Sequence, residues 1–207
     1  MKNIIRGNKF MEIKRSSELD DSVREKISEI FVGGFGKDLR FFSKDDNILI
    51  KAFSHIFVLD VFYVAIIDNE IAGIMACTDM KTFCIKHDKQ VFIKQFGLIK
   101  GIIANILFKN YFMKYPKYPI KTNERTASIE FVATSEKYRG KGVASEIMNY
   151  LHSFPEYDEY ILEVADTNMP AVKLYEKMGY KEVYRKKQRF SKYIGINYLI
   201  YMKYSKK

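Results

Sequence analysis

Leu19, Val23, Ile27 and Phe31 are apolar positions four residues apart, preceded by Ser17-Glu18-Leu19-Asp20 and followed by Gly33-Gly34. Such spacing lines one face of an α-helix, a serine or acid at its start can take a free backbone N–H, and glycine is a common stop. The pattern predicts an amphipathic helix ending at the glycine pair. A second helix is expected after Ser43, where Asp45 and Asp46 in the first turn suit the helix dipole and Ile48, Leu49, Ala52, Phe53 and Ile56 supply the apolar face. Residues 58–67 and 71–78 are β-rich runs on either side of Asp68-Asn69-Glu70, which is turn chemistry for a hairpin.

The second half of the chain is more regular. A strand at 127–133, a polar loop, a helix at 143–154, a strand at 160–165 and a helix at 169–178 precede two β-rich runs near 180–189 and 194–204. Val143, Ile147 and Leu151 mark the buried face of the first of these helices, while Pro170 and Gly179 bracket the second. Strand, helix, strand makes a parallel crossover unit. No repeat or low-complexity linker interrupts the chain, so one domain over 1–207 is expected.

Between the two halves the character changes. Residues 86–121 hold eight lysines against one acid, Asp88, with Phe92, Phe96, Phe108, Tyr111, Phe112, Tyr115 and Tyr118 interleaved. The lysines scatter around a helical projection, which fits poorly with an amphipathic helix lying on a membrane. One or two helices are predicted, interrupted near Gly97 or Gly101 and ending in the Pro116 and Pro119 stretch.

This segment accounts for most of a formal net charge of +10, which points to an anionic partner: nucleic acid, lipid headgroups or a phosphorylated cofactor. Charge alone does not choose among them. Cys77 and Cys84 form no paired motif and fall among apolar residues, so buried, reduced thiols and a cytoplasmic location are expected. Residues 1–10 lack the apolar core of a secretory signal, and Lys94, Lys100 and Lys109 break the most apolar stretch, so no transmembrane helix is expected. His55, His87 and His152 are far apart without carboxylate or cysteine at ligand spacing, and no metal is expected.

The informative segment is 129–144, Ile-Glu-Phe-Val-Ala-Thr-Ser-Glu-Lys-Tyr-Arg-Gly-Lys-Gly-Val-Ala. A strand ends, a basic glycine-containing loop turns and a helix begins, so unpaired amide N–H groups and the helix dipole converge on a point that favours an anion. Gly140 and Gly142 allow close backbone approach, Ala144 keeps the first turn slim, and Arg139 and Lys141 add positive charge. A nucleoside-triphosphate loop would need GxxxxGK followed by Ser or Thr, which is absent. A dinucleotide fingerprint would need glycine where Ser145 stands, although Asp166 lies about where a ribose-binding acid could sit.

Arg139-Gly140-Lys141-Gly142-Val143-Ala144 resembles the Gln/Arg-x-x-Gly-x-Gly/Ala loop of the GNAT superfamily of acyl-CoA-dependent N-acetyltransferases. Residues 168–180, Asn-Met-Pro-Ala-Val-Lys-Leu-Tyr-Glu-Lys-Met-Gly-Tyr, are similar to that family's Asn-x-x-Ala-x-x-Leu-Tyr-x-x-x-Gly-Phe/Tyr motif. The close match covers 129–180; the segment 86–121 departs from the family, which usually joins the flanking strands by a short turn. The resemblance implies an α/β (α+β) fold: a central mixed, mostly antiparallel sheet with splayed parallel central strands, flanked by helices, here with a helical insertion.

It also implies acetyl-CoA as the acyl donor and an amine acceptor attacking directly in a ternary complex. No recognised nucleic-acid motif is present, so no nucleic-acid partner is expected, and the segment 86–121 makes a homodimer a candidate assembly. By resemblance, the backbone of Val132, Ala133 and Thr134 would pair with the pantetheine arm, and the amides of Arg139, Gly140, Lys141, Gly142, Val143 and Ala144 would hold the pyrophosphate. Asn168 would contact the pantetheine region, and Tyr175 would protonate the departing thiolate. Glu130 is the candidate base, with Glu163 and Asp166 as substitutes; strand alternation puts Glu130 on the same face as Val132. An acyl-CoA-binding module without catalysis, and a basic nucleic-acid or membrane-surface protein, are the competing readings. For the insertion, a lid over the acceptor site, a dimer surface and a cap on the sheet all stand open.

Overall fold

The chain folds, in a computed structural model that describes residues 3–6, 9–111, 118–188 and 195–206, around one mixed sheet. In chain order the elements are β1 (Asn3–Arg6), β2 (Lys9–Arg15), α1 (Val23–Leu39), α2 (Asp46–Phe53), β3 (Phe62–Ile67), β4 (Glu70–Thr78), α3 (Lys89–Phe96) and α4 (Leu98–Tyr111). They continue with β5 (Thr126–Thr134), α5 (Val143–His152), β6 (Glu159–Ala165), α6 (Met169–Lys177), β7 (Lys181–Lys187) and β8 (Tyr198–Ser205). The eight strands lie in the order β1-β2-β3-β4-β5-β6-β8-β7, and β5 and β6 form the parallel pair among antiparallel neighbours. This is the sheet the resemblance implied.

Two apolar cores lie on its two faces. On one, α5 and α6 bury Val143, Ile147, Leu151, Val172 and Tyr175 against Met75, Ile129, Leu162 and Val164. On the other, α1 to α4 bury Ile27, Phe31, Phe53, Phe92 and Phe108 against Phe62, Val64, Ile74 and Ala133. Asp68 and Asn69 at φ 53° and 63° make the two-residue turn whose twist matches a hairpin, as the sequence predicted for β3 and β4. The first β-rich run is shorter than expected, because Leu59–Val61 is a 3₁₀ turn.

The first helix departs from its prediction at both ends. Residues Ser16–Glu18 form a 3₁₀ turn, α1 starts at Val23, and it passes through Gly33 and Gly34 to Leu39. The glycines mark close packing instead of a stop: a Cβ at Gly34 would meet Ala133 Cβ at 3.3 Å, so the helix lies hard against β5. The second helix is capped two residues later than Ser43, where the Asp45 side chain accepts the Asn47 N–H at 2.9 Å. Strands β1 and β2 were not anticipated; in β2 the buried Met11 and Ile13 alternate with half-exposed Glu12 and Lys14 over too few residues to stand out.

The segment between β4 and β5 holds the two expected helices. Asp88 caps α3 by accepting the Gln90 N–H at 2.8 Å, and Gly97 at φ 80° ends it, while Gly101 lies inside α4. A Cβ at Gly101 would come within 2.5 Å of Ile93 Cα, so that glycine is where α4 crosses α3. Phe108 stacks on Phe53 at 5.2 Å and Phe92 meets Phe53 edge-on at 5.8 Å, which fastens the hairpin to α2. The Pro116 part of this segment, and the run ends at 189 and 194, lie outside the described residues. No described helix is long and apolar enough to cross a membrane.

Candidate active site

Strands β5 and β6 run side by side from Thr126 and Glu159 to the pair Ile129 and Leu162, and pairing between them stops there. Beyond it, β5 continues against β4 to Thr134 and β6 continues against β8 to Ala165. A gap therefore opens between two strands whose facing edges carry unused main-chain groups, and an extended ligand can add to such an edge.

At the same level β5 bulges. Ile74 pairs with Ala133 and Ala76 with Glu130, so Met75 opposes both Phe131 and Val132. Phe131 takes φ 51°, a conformation that costs a side-chain-bearing residue on the order of 1–3 kcal/mol. Its ring sits among Phe31, Phe35 and Phe62 at 5.9, 6.1 and 6.2 Å, and that aromatic packing holds the backbone there. The bulge corrects the sequence reading of the faces. Val132 packs with the α5–α6 core, whereas Glu130 reaches Cys84 on the opposite side, because the extra residue shifts the alternation between them.

The loop after β5 carries its amides to the start of α5, beside the Thr134 end of β5 and Gly73 of β4. Tyr138 anchors it, buried and donating its hydroxyl to Glu70 at 2.9 Å; Gly142 then turns at φ 83° into α5. Gly73 on β4 lets the helix start close, since a Cβ there would meet Val143 Cγ1 at 2.6 Å. Of the six amides expected to hold an anion, Arg139 N donates back to Glu136 O at 3.3 Å and Lys141 N to Tyr138 O at 3.3 Å. Among the described residues no acceptor takes the N–H of Gly140, Gly142, Val143 or Ala144, nor that of Ser145, which the motif did not single out. A Cβ at Gly140 would meet nothing within 4 Å, so the approach is open. The two cationic side chains are partly occupied: Arg139 pairs with Glu136 at 3.1 Å, and the Lys141 ammonium lies 5.2 Å from the Tyr138 ring centre. Backbone donors therefore supply most of the anion-binding character.

Glu130 stands at the base of the gap, the first β5 residue past the last pair with β6. Ser128 Oγ donates to its Oε1 at 3.1 Å, Thr78 Oγ1 to the same oxygen at 3.4 Å, and Cys84 Sγ to Oε2 at 3.3 Å. Tyr118 is 2.6 Å from Ser128 Oγ. Burial holds the Glu130 carboxyl above the ordinary carboxylate range, with the charge of Glu163 adding to the rise and the three hydrogen bonds opposing it. Cys84, Thr78, Ser128 and Tyr118 carried no sequence signal for this arrangement, since their meeting depends on the fold of 79–125. Of the substitute bases, Glu163 is exposed beside Tyr201, and Asp166 accepts the Asn197 N–H at 3.1 Å, which ties it to the start of β8.

Tyr175 is buried in the α5–α6 core, 6.0 Å from the ring of Tyr180, and burial pushes its phenol up to about 12. Asn168 caps α6: its side-chain oxygen accepts the Ala171 N–H at 3.3 Å, which leaves its NH₂ as the group for a ligand. His152 belongs to the core, stacked on Tyr204 at 4.1 Å and pushed down to about 4 by burial. Both thiols are buried, that of Cys77 pushed up to about 12, which suits neither to nucleophilic work. Among the described residues no group of three or more His, Cys, Asp or Glu side chains is gathered as metal ligands.

A mixed sheet whose parallel pair β5–β6 parts before its end, with β5 leading through a glycine loop into a helix, is the architecture that the GNAT resemblance implied. The chain belongs to the Acetyltransferase (GNAT) family, whose sequence profile matches residues 24–180. No curated protein sequence gives a match. Among solved structures, an N-acetyltransferase from Staphylococcus aureus Mu50 superposes with a TM-score of 0.63 at 15% identity, over 93% of this chain and 100% of that one. A GNAT-family acetyltransferase from Bacillus anthracis does so with a TM-score of 0.56 at 13% identity, over 99% and 98%. One from Streptococcus agalactiae gives 0.56 at 14% identity, over 95% and 96%. At these identities the likeness is one of fold.

Proposed function

We propose that the protein is an N-acetyltransferase that takes acetyl-CoA as donor and an amine as acceptor, in one domain over 1–207 into which the helical hairpin is inserted. The observation that carries this reading is that β5 leaves its parallel partner at Ile129 and runs on into a loop and helix start with five unused amides. The donor supplies an activated acyl thioester. Gly140, Gly142, Val143, Ala144 and Ser145 would hold its diphosphate through main-chain N–H groups, while Arg139 and Lys141 would contribute charge nearby. The free edge at Val132, Ala133 and Thr134 would pair with the pantetheine arm, and Asn168 would donate from its NH₂ across the gap. An amide near the Val132 bulge would stabilise negative charge on the carbonyl oxygen.

Two residues would move protons. Glu130 would accept a proton from the attacking amine, a task suited by a carboxyl raised toward neutrality. Tyr175 would give its phenolic proton to the sulfur; burial that raises the phenol to about 12 keeps that proton in place before the reaction.

The test is thiol release from acetyl-CoA over a panel of amines, run beside calorimetric CoA titration. The reading expects turnover with at least one amine, a loss of about 10²-fold in kcat for Tyr175→Phe, and unchanged CoA affinity in that variant. Tight CoA binding with no transfer to any amine would replace the enzyme by an acyl-CoA-binding module.

A further inference from the structure

The segment between β4 and β5 reaches Glu130 from both of its ends, directly through Cys84 and by way of Ser128 from Tyr118. Cys84 lies near its start and Tyr118 near its finish, separated by the α3–α4 hairpin, yet both converge on the same carboxylate. Proton bookkeeping fixes the direction of the bonds. An ionised carboxylate only accepts, so Ser128 spends its single proton on Glu130 Oε1, and the 2.6 Å contact must then be Tyr118 O–H donating to Ser128 Oγ. The chain Tyr118 to Ser128 to Glu130 is thus oriented from end to end, and such chains polarise one another. Cys84, whose thiol burial and the Glu130 charge keep protonated, donates to the other oxygen. Each carboxylate oxygen is held by a group that depends on the inserted segment.

We infer that the connection from β4 to β5, which contains the insertion, is a clamp on Glu130, in which Cys84 acts directly and Tyr118 acts through Ser128, so that these are positioning residues for the group that takes the acceptor's proton. The inference rests on the role proposed for Glu130. It gives the insertion a function that neither a lid nor a cap on the sheet would require. Contacts outside the hairpin hold the segment near both ends: the Asp88 N–H donates to His55 Nε2 at 3.0 Å near the start, and Tyr118 meets the Tyr201 ring edge-on at 5.9 Å near the end.

The test reads the ionisation of Glu130 without any acceptor, by ¹³C NMR of protein labelled at glutamate carboxyl carbons, the signal being assigned with Glu130→Gln. The groups that set this titration are Cys84, Ser128, Thr78 and Tyr118 on the carboxylate's own side, with Glu163 from β6 and Cys77 from β4. Hydrogen bonds to the carboxylate favour its charged form, so Tyr118→Phe, Ser128→Ala and Cys84→Ala should each move the midpoint to higher pH. Ser128→Thr, which keeps a hydroxyl, should restore it, and Tyr150→Phe on the opposite face should leave it in place. Circular dichroism selects the folded variants, and Tyr118→Phe, which removes one oxygen, is the mildest of them. An unmoved midpoint in folded Tyr118→Phe and Ser128→Ala overturns the clamp. A midpoint that moves as expected, together with undiminished amine turnover by Glu130→Gln, upholds the clamp and overturns the role of Glu130 as base, so the two claims fail separately.

Discussion

Burial raises the Glu130 carboxyl while hydrogen bonds from Cys84, Ser128 and Thr78 pull it down, and the net displacement is upward. A carboxyl raised in the folded state binds more protons there than in the unfolded chain. Stability is therefore lost as pH rises from the ordinary carboxylate value through the folded one. Glu130→Gln removes that loss, and the variant should melt above the wild type at pH 8, with the difference closing by about pH 4, where both side chains are neutral. Thermal melts at the two pH values check this; an equal difference at both would contradict the assignment of burial as the dominant cause. Tyr175 presents the same conflict differently, because a phenol is neutral at both pH values, so Tyr175→Phe should cost turnover without a pH-dependent change in melting. Tyr175 was singled out by its place in the 168–180 motif and Glu130 by its place on the strand, but the partners of Glu130 carried no signal. Ser128 and Thr78 look like ordinary strand positions, and Tyr118 is one aromatic among many in a basic stretch.

At the level of elements, glycine separates what sequence periodicity conveys from what packing decides. Gly33 and Gly34 read as a helix stop, yet α1 runs through both, because contact with β5 outweighs a propensity cost of about 1 kcal/mol per glycine. The two positions should answer oppositely to alanine. A Cβ at Gly33 meets nothing within 4 Å, so Gly33→Ala should stabilise by about 0.5–1 kcal/mol, whereas Gly34→Ala must push against Ala133 Cβ at 3.3 Å and should gain less or lose. Gly73→Ala is harsher: with Val143 Cγ1 at 2.6 Å and Ala133 O at 3.1 Å, overpacking should cost about 1–3 kcal/mol and weaken CoA binding by moving the start of α5. Denaturant unfolding of the three variants, with CoA titration of the last, measures these effects; a neutral Gly73→Ala would mean that the α5 start is not seated where it appears. The bulge at Phe131 was illegible for a related reason. Nothing in Ile-Glu-Phe-Val-Ala announces an extra residue, and the side-chain alternation it breaks is what the face assignment relied on.

For the molecule as a whole, part of the strand order follows from two local rules, a tight hairpin at 68–69 and a parallel crossover through α5, while β1, β2 and the entry of β8 between β6 and β7 lie outside them. Those rules were readable because each depends on neighbours in sequence. The docking of the α3–α4 hairpin depends on contacts with Phe53 and His55, far away in the chain, and no periodicity encodes it. The net charge of +10 is similarly ambiguous alone, and the anion preference acquires a location only where the amides of 140 and 142–145 are left without acceptors beside the parted strands. That placement is the central claim, and ¹⁵N–¹H amide shifts recorded during a CoA titration test it most directly. The largest changes are expected at Gly140, Gly142, Val143, Ala144 and Ser145, followed by Val132 to Thr134, with little change at Arg139 and Lys141, whose N–H groups are already bonded. Saturable CoA binding whose shifts fall elsewhere and leave the amides of 140 and 142–145 unmoved would contradict it.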